Sequence, residues 1–177
     1  MIIKPFMCDA AINKYDSLLF KGANVLELGS GYSTLWLAER GVNVESYEHN
    51  EFWIGVVKHM LKNEQVTVHF HQSYEDAIST YPENYFDFVI VDGINRLECM
   101  TEIYNSKVIK VGGYLLYDDC ERRYINNDYK IACDLYKSWG CEFISDYPFT
   151  TIEEYKSYEG KVQPHRLKQT LFAKRLV

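Results

Sequence analysis

Three carboxylates close two apolar runs of the chain: Asp92 ends FDFVIVD, and Asp118 with Asp119 ends GYLLYDD. If those runs are neighbouring strands, their tips lie ~5 Å apart, and like charges that close need a cation or a raised pKa. Hard oxygen ligands in that arrangement suit Mg²⁺, which takes a few carboxylates and keeps water or substrate on its other positions. The competing reading has Asp119 capping a turn. A second group lies in VLELGSGYST, residues 25–34, where Gly29, Ser30 and Gly31 follow a strand-like run. A glycine turn there brings backbone close to a small polar ligand. Ser33 is placed to cap the next helix, whose free N–H groups and positive dipole end favour a carboxylate or phosphate. Glu48 follows Gly29 by 19 residues and ends the next run, where an acidic side chain can accept hydrogen bonds from both hydroxyls of a ribose. A plain βα connection and an exposed strand-end carboxylate are the structural alternatives.

The elements that must hold these groups alternate along the chain. Strand-like runs recur as NVLELG, VNVESYEH, VTVHFHQ, FDFVIVDG, GYLLYDD and QTLFAKRL. Between them, Trp53, Val56, Val57, Met60 and Leu61 predict a helix over 51–62 with one apolar face, and Ile131, Leu135 and Trp139 repeat at four-residue steps. FVIV lacks polar alternation, as a strand buried on both faces of a parallel sheet does. The expected fold class is therefore α/β: a single doubly wound, mostly parallel, Rossmann-like sheet with helices on both faces and an antiparallel last strand. With 177 residues, 47% of them apolar, the whole of 1–177 is expected to form one domain. It would open with a helical segment at 1–22 and carry a long loop at 150–167 before the last strand.

Composition excludes several partners. A net charge of −6 offers no footprint for a phosphate backbone, so bulk nucleic-acid binding is not expected. The five cysteines show no zinc or disulfide spacing and read as reduced thiols, and the opening 22 residues carry no continuous apolar stretch, so a cytoplasmic protein without a membrane span is expected. The 15 tyrosines are dispersed and read as half-buried packing residues. A dinucleotide fingerprint would place a third glycine where this chain has Thr34, which weakens a nicotinamide reading.

Taken in order, VLELGSGYSTLWLAERG, ESYEHN, FDFVIVDG and VGGYLLYDD, within residues 24–147, resemble the class I S-adenosylmethionine-dependent methyltransferases. The resemblance implies that Glu27, Gly29, Ser30 and Gly31 line the methionine end of the cofactor. It puts Ser33 and Thr34 at the cofactor carboxylate, Glu48 at the ribose with His49 framing it, and Ser73 and Tyr74 at the adenine. The aspartates resemble those of metal-dependent O-methyltransferases of the catechol, caffeoyl and macrolide-sugar types, which implies Mg²⁺ held by Asp92, Asp118 and Asp119. KVGGYLLYDD is most similar to the sugar enzymes. Where such enzymes carry a base two or three residues after the first aspartate, this chain has Ile94 and Asn95.

VDGINR and DDCERR also resemble bacterial methyltransferases that act on surface glycans. Arg96, Arg122 and Arg123 would then bind an acidic acceptor, such as a uronate or sugar phosphate, through paired N–H donors; the alternative leaves them as solvated charges. His165 could reach the pocket as a base. The expected reaction moves a methyl group from S-adenosylmethionine to a hydroxyl of a small, carbohydrate-derived acceptor, with Asp92, Arg96 and Asp119 in catalytic roles. A water-poor pocket holding the sulfonium in line with the nucleophile would do much of that work. Two rivals stand beside it: a nucleotide- or S-adenosylmethionine-binding module without turnover, and a nicotinamide oxidoreductase.

Overall fold

The computed structural model of the chain describes residues 3–61, 65–147, 149–162 and 167–177. Among the described residues seven strands form one sheet: β1 (Asn24–Leu28), β2 (Asn43–Glu48), β3 (Val66–Phe70), β4 (Phe86–Val91), β5 (Ile109–Tyr117), β6 (Cys141–Ile144) and β7 (Thr170–Lys174). Their order is β3-β2-β1-β4-β5-β7-β6. β1 to β5 pair in parallel, and β7 runs antiparallel between β5 and β6. Strand order reverses beside β1, the place where open parallel sheets bind ligands outside their carboxyl ends.

Helices cover both faces because side chains alternate along each strand. Leu26, Leu28, Val89, Val91 and Leu115 pack beneath α4 (Tyr74–Ile78), α5 (Arg96–Ser106) and α6 (Asn127–Leu135). Val25, Val44, Phe88, Ile90 and Leu116 face the other way, against α1 (Asp9–Leu18) and α2 (Tyr32–Ala38). α3 (Glu51–Met60) joins α2 on that second face over Val68. Each fully buried aliphatic side chain contributes roughly 1.5–3 kcal/mol, which is why the continuous apolar run of β4 sits in the middle of the sheet.

The helices begin where polar caps allow. Asn50 accepts from the Trp53 N–H at 3.1 Å, and Asn126 accepts from the Asp128 N–H at 2.8 Å. Both expected helix faces reach the core, through Val57, Trp53 and Leu61 in one and Leu135 and Trp139 in the other, with one residue of each left exposed. Ile54 and Val57 are the buried residues of α3 while Met60 is exposed, and Ala132, Cys133 and Tyr136 are buried where Ile131 is exposed.

Two further elements depart from expectation. β6 was not foreseen; Cys141–Ile144 is four residues long and half-exposed, so its pattern is weak. The stretch 150–167, expected as a loop, contains α7 (Ile152–Tyr158), started by the Thr151 hydroxyl accepting from the Glu154 N–H at 3.2 Å. The Glu154 carboxylate accepts in turn from the Thr150 N–H at 2.6 Å, so the helix start was encoded as Thr-x-x-Glu. His165 lies outside the described residues. Among the described residues no helix is long and apolar enough to cross a membrane.

Candidate active site

The turn after β1 is held from below by a chain of hydroxyls. Glu27 is fully buried; its Oε2 accepts from Thr34 Oγ1 at 2.5 Å and from Ser46 Oγ at 2.6 Å. Thr34 Oγ1 accepts in turn from the Gly31 N–H at 2.8 Å, and the Ser30 and Ser46 hydroxyls bond at 2.7 Å. Trp53 Nε1 donates to the Ser30 carbonyl at 2.7 Å. Burial pushes the Glu27 carboxyl above its ordinary pKa, opposed by the hydroxyls of Ser33, Ser46 and Thr34. Its Oε1 has no hydrogen-bond partner among the described residues.

Above the turn opens a cleft of about 370 Å³, lined by Gly29, Ser30, Gly31, Ser33, Glu48, His49, Trp53 and Asp92 among others. Two glycines bound its floor by close approach. A Cβ on Gly29 would lie 2.8 Å from the Gly93 nitrogen, and one on Gly93 would lie 2.3 Å from Tyr74 Cε2. Gly29 also has φ +106°, which side-chain-bearing residues rarely adopt. Gly31 differs: a Cβ there meets no atom within 4 Å and would project into open space. Glu48, at the tip of β2, accepts from the His49 and Asn50 N–H groups on Oε1, at 3.0 and 2.9 Å, and from the Ser30 N–H on Oε2 at 3.2 Å. Each carboxylate oxygen has two lone pairs, so Oε2 retains acceptor capacity toward the cleft.

The three aspartates do converge. One oxygen from each of Asp92, Asp118 and Asp119 lies within 4.8 Å of the others. Protein cations already face them. Arg96 Nη2 donates to Asp92 Oδ1 at 3.0 Å and to Asp119 Oδ2 at 3.3 Å, and Arg122 reaches Asp119 Oδ2 at 3.2 Å. Lys168 Nζ bonds to Asp118 Oδ2 at 3.1 Å and to Asp119 Oδ1, and Thr170 Oγ1 donates to Asp118 Oδ1 at 2.6 Å. Burial and the nearby Asp118 push the Asp92 carboxyl up to about 7. Burial raises Asp118 as well. Burial also opposes ionisation of Asp119, but Lys168 and Arg96 outweigh it and hold that carboxyl below its ordinary value. In this arrangement the residues do not fit a divalent ion, because both oxygens of Asp118 and Asp119 and Oδ1 of Asp92 already face an ammonium, a guanidinium or a hydroxyl group that the ion would have to displace.

A second cavity, of about 550 Å³, adjoins the cluster. Phe6, Ile125, Tyr129, Ile152 and Tyr155 supply its apolar and aromatic walls, and Asp119, Glu121, Arg122 and Lys168 its charges. Phe6 lines both cavities. Burial, reinforced by Asp119, pushes the Glu121 carboxyl up to about 7.

The sequence and the fold both find matches among known proteins. The profile of the family described as "Tellurite resistance protein TehB" matches residues 14–119. The chain belongs to the TehB family. No curated protein matches it. Among solved structures, a TehB-like S-adenosylmethionine-dependent methyltransferase from Corynebacterium glutamicum shares 14% identity, with a TM-score of 0.55 over 92% of this chain and 85% of that one. An S-adenosylmethionine-dependent O-methyltransferase from Thermotoga maritima shares 16%, with a TM-score of 0.68 over 100% and 67%. A Podospora anserina methyltransferase with bound S-adenosylhomocysteine shares 15%, with a TM-score of 0.60 over 86% and 72%. At these identities the structural likeness speaks for the fold. Family and fold together make the chain a TehB-like class I S-adenosylmethionine-dependent methyltransferase.

In this TehB-family chain the residues singled out from sequence separate into three groups. Gly29, Ser30, Gly31, Ser33, Glu48, His49 and Asp92 line the cleft. Thr34 and Tyr74 are fully buried beneath it: Thr34 bridges Glu27 and Gly31, and the Tyr74 hydroxyl accepts from the His49 N–H at 3.1 Å. Ser73 caps α4, accepting from the Asp76 N–H at 3.3 Å. Ser33 lies inside α2, whose start is Gly31, and so does not cap it.

The arginines also part company. Arg96 donates to the carbonyls of Gly93, Asp118 and Asp92 as well as to the carboxylates, and Arg123 is turned to Cys120, Tyr124 and Gln169. Only Arg122 of the three lines the second cavity. Phe6, Trp53, Tyr129, Tyr155 and Lys168 were not foreseen as site residues. For Trp53 a signal existed, since an indole N–H one turn after a strand tip needs an acceptor.

Proposed function

We propose that this methyltransferase binds S-adenosylmethionine in the glycine cleft and methylates a hydroxyl of a small acceptor seated in the second cavity. The observation that carries this reading is the shared boundary of the two cavities: Asp92 lines one, Asp119 lines the other, and the Arg96 guanidinium spans both carboxylates. When bound, the cofactor supplies a methyl group on a positively charged sulfur.

Gly31 leaves the room that the methionine moiety needs, while Glu27, fully buried and outside the cleft lining, holds the turn from below through Thr34 and Ser46. Glu48, at the cleft wall, would hold the ribose through Oε2. Asp92, whose carboxyl titrates near neutrality, would take the acceptor's hydroxyl proton as the methyl passes from sulfur to that oxygen and the sulfur leaves as a neutral thioether, and Arg96 positions that carboxylate. Tyr129 and Tyr155 offer ring faces, and Arg122 an N–H fork, which suits a compact ring bearing an anionic group such as an acidic sugar.

Calorimetry with S-adenosylmethionine, S-adenosylhomocysteine and NAD tests the cofactor half. Saturable binding of the first two is expected, and binding of NAD alone would refute the reading. Incubation with labelled S-adenosylmethionine and a panel of uronates, sugar phosphates and phenolic acids tests the other half. Label found only on nitrogen acceptors would remove the hydroxyl assignment.

A further inference from the structure

The antiparallel entry of β7 places the residues preceding it at the same end of the sheet where β4 and β5 stop. Tyr117 pairs with Leu171, and the Cys120 N–H donates to the Gln169 carbonyl at 2.9 Å, so Lys168 is delivered beside Asp118 and Asp119. Its side chain is 14% exposed, and its Nζ sits 4.9 Å from the Phe6 ring centre. Of the three N–H donors an ammonium carries, two go to aspartates. Three carboxylates thus face three cationic side chains, Arg96, Arg122 and Lys168.

We propose that the Lys168 ammonium is a built-in cation that takes the place of a divalent metal at the tips of β4 and β5, so that the site neither needs nor binds one. Three observations converge on this. Asp118 is wholly buried, and a buried carboxylate without a counter-charge is costly, so some cation is required there. Lys168 and Thr170 bond both Asp118 oxygens, and Lys168 with Arg96 and Arg122 bonds both oxygens of Asp119, so a divalent ion at ~2.1 Å from these oxygens would have to displace an ammonium or a guanidinium already seated there. A doubly charged ion would also enter beside an ammonium and a guanidinium that already balance the cluster.

The same ammonium lines the second cavity, where it gives an acceptor oxygen the positive charge that a metal would otherwise supply. Among the described residues no other cluster of three ligating side chains is present.

The test uses the full chain without cofactor or acceptor, so its outcome is separable from that of the methyltransferase reading. Mn²⁺ titration followed by electron paramagnetic resonance, with thermal denaturation in Mg²⁺ or EDTA, is expected to show no saturable site and no shift for the wild type. Lys168→Met keeps the apolar stem and removes the charge; it is expected to gain a Mn²⁺ site about tenfold or more tighter than any wild-type binding, and Mg²⁺ is expected to restore part of its lost stability. Adding Asp119→Asn to that variant is expected to abolish the gain. Wild-type Mn²⁺ binding that Asp119→Asn removes would overturn the proposal. So would a folded Lys168→Met that ignores both ions, or, if that variant does not fold, a folded Lys168→Gln that ignores both.

Discussion

Gly31→Ala separates the cleft's role in binding from its role in the fold. The new methyl group meets no protein atom within 4 Å, and the backbone at this position has φ −177°, an extended conformation open to any residue. Stability should therefore stay within about 0.5 kcal/mol, or rise slightly as the unfolded chain loses glycine's freedom. Gly31 lines the cleft of about 370 Å³ that, on the proposed function, admits an aminoacyl nucleoside in contact with its floor. Forcing an extra methyl into a close-packed contact costs about 1–3 kcal/mol, a loss of roughly 5- to 150-fold in affinity. Thermal denaturation of the free protein and calorimetry with S-adenosylhomocysteine measure the two quantities. An unchanged melting temperature with weakened binding is the expected pair. Unchanged affinity for S-adenosylhomocysteine would refute the placement of the cofactor at this turn.

Gly93→Ala is the converse, because its Cβ would stand 2.3 Å from the ring of the fully buried Tyr74; a fall in melting temperature on the order of 5 °C is expected, and an unshifted melting curve would show that the ring can move away. Glu48→Gln removes a charged acceptor and should weaken S-adenosylhomocysteine binding roughly 10- to 150-fold, with little change for a ligand lacking the ribose, such as methionine. Asp92 has a folded-state pKa of about 7, above its unfolded value, so the stability it confers is complete in acid and is lost as pH rises through about 7. Asp92→Asn should accordingly gain stability relative to wild type between about pH 4 and 7 and hold that gain above; denaturation scans across that range with parallel curves would contradict the assignment.

Period and punctuation made β1 to β5 legible in the sequence, since FVIV and the GSG turn can hardly be anything but a buried strand and a strand-to-helix connection. The same signals failed where the tertiary structure decides. The α3 periodicity fits Trp53 and Met60 as well as Ile54, and only the neighbouring β3 and α2 choose between them. β6 offers four half-exposed residues and draws its existence from pairing with β7. Asp92, Asp118 and Asp119 could be placed together from strand ends alone. Their compensation could not, because Lys168 follows Asp118 by 50 residues and arrives only through the β5–β7 register. Arg96 reads from sequence as an acceptor ligand, but its guanidinium folds back onto the strand tips, donating to the Gly93 and Asp118 carbonyls.

The two halves of the site draw on different stretches of chain. Apart from Phe6, the cleft is assembled within residues 29–94, whereas the neighbouring cavity collects residue 6 and residues 119–168. On the proposed placement of donor in the cleft and acceptor in the cavity, mutations accumulating after β5 retune what the enzyme modifies while the donor-binding half stays under separate selection. Acceptor preference is the part of this molecule freest to diverge.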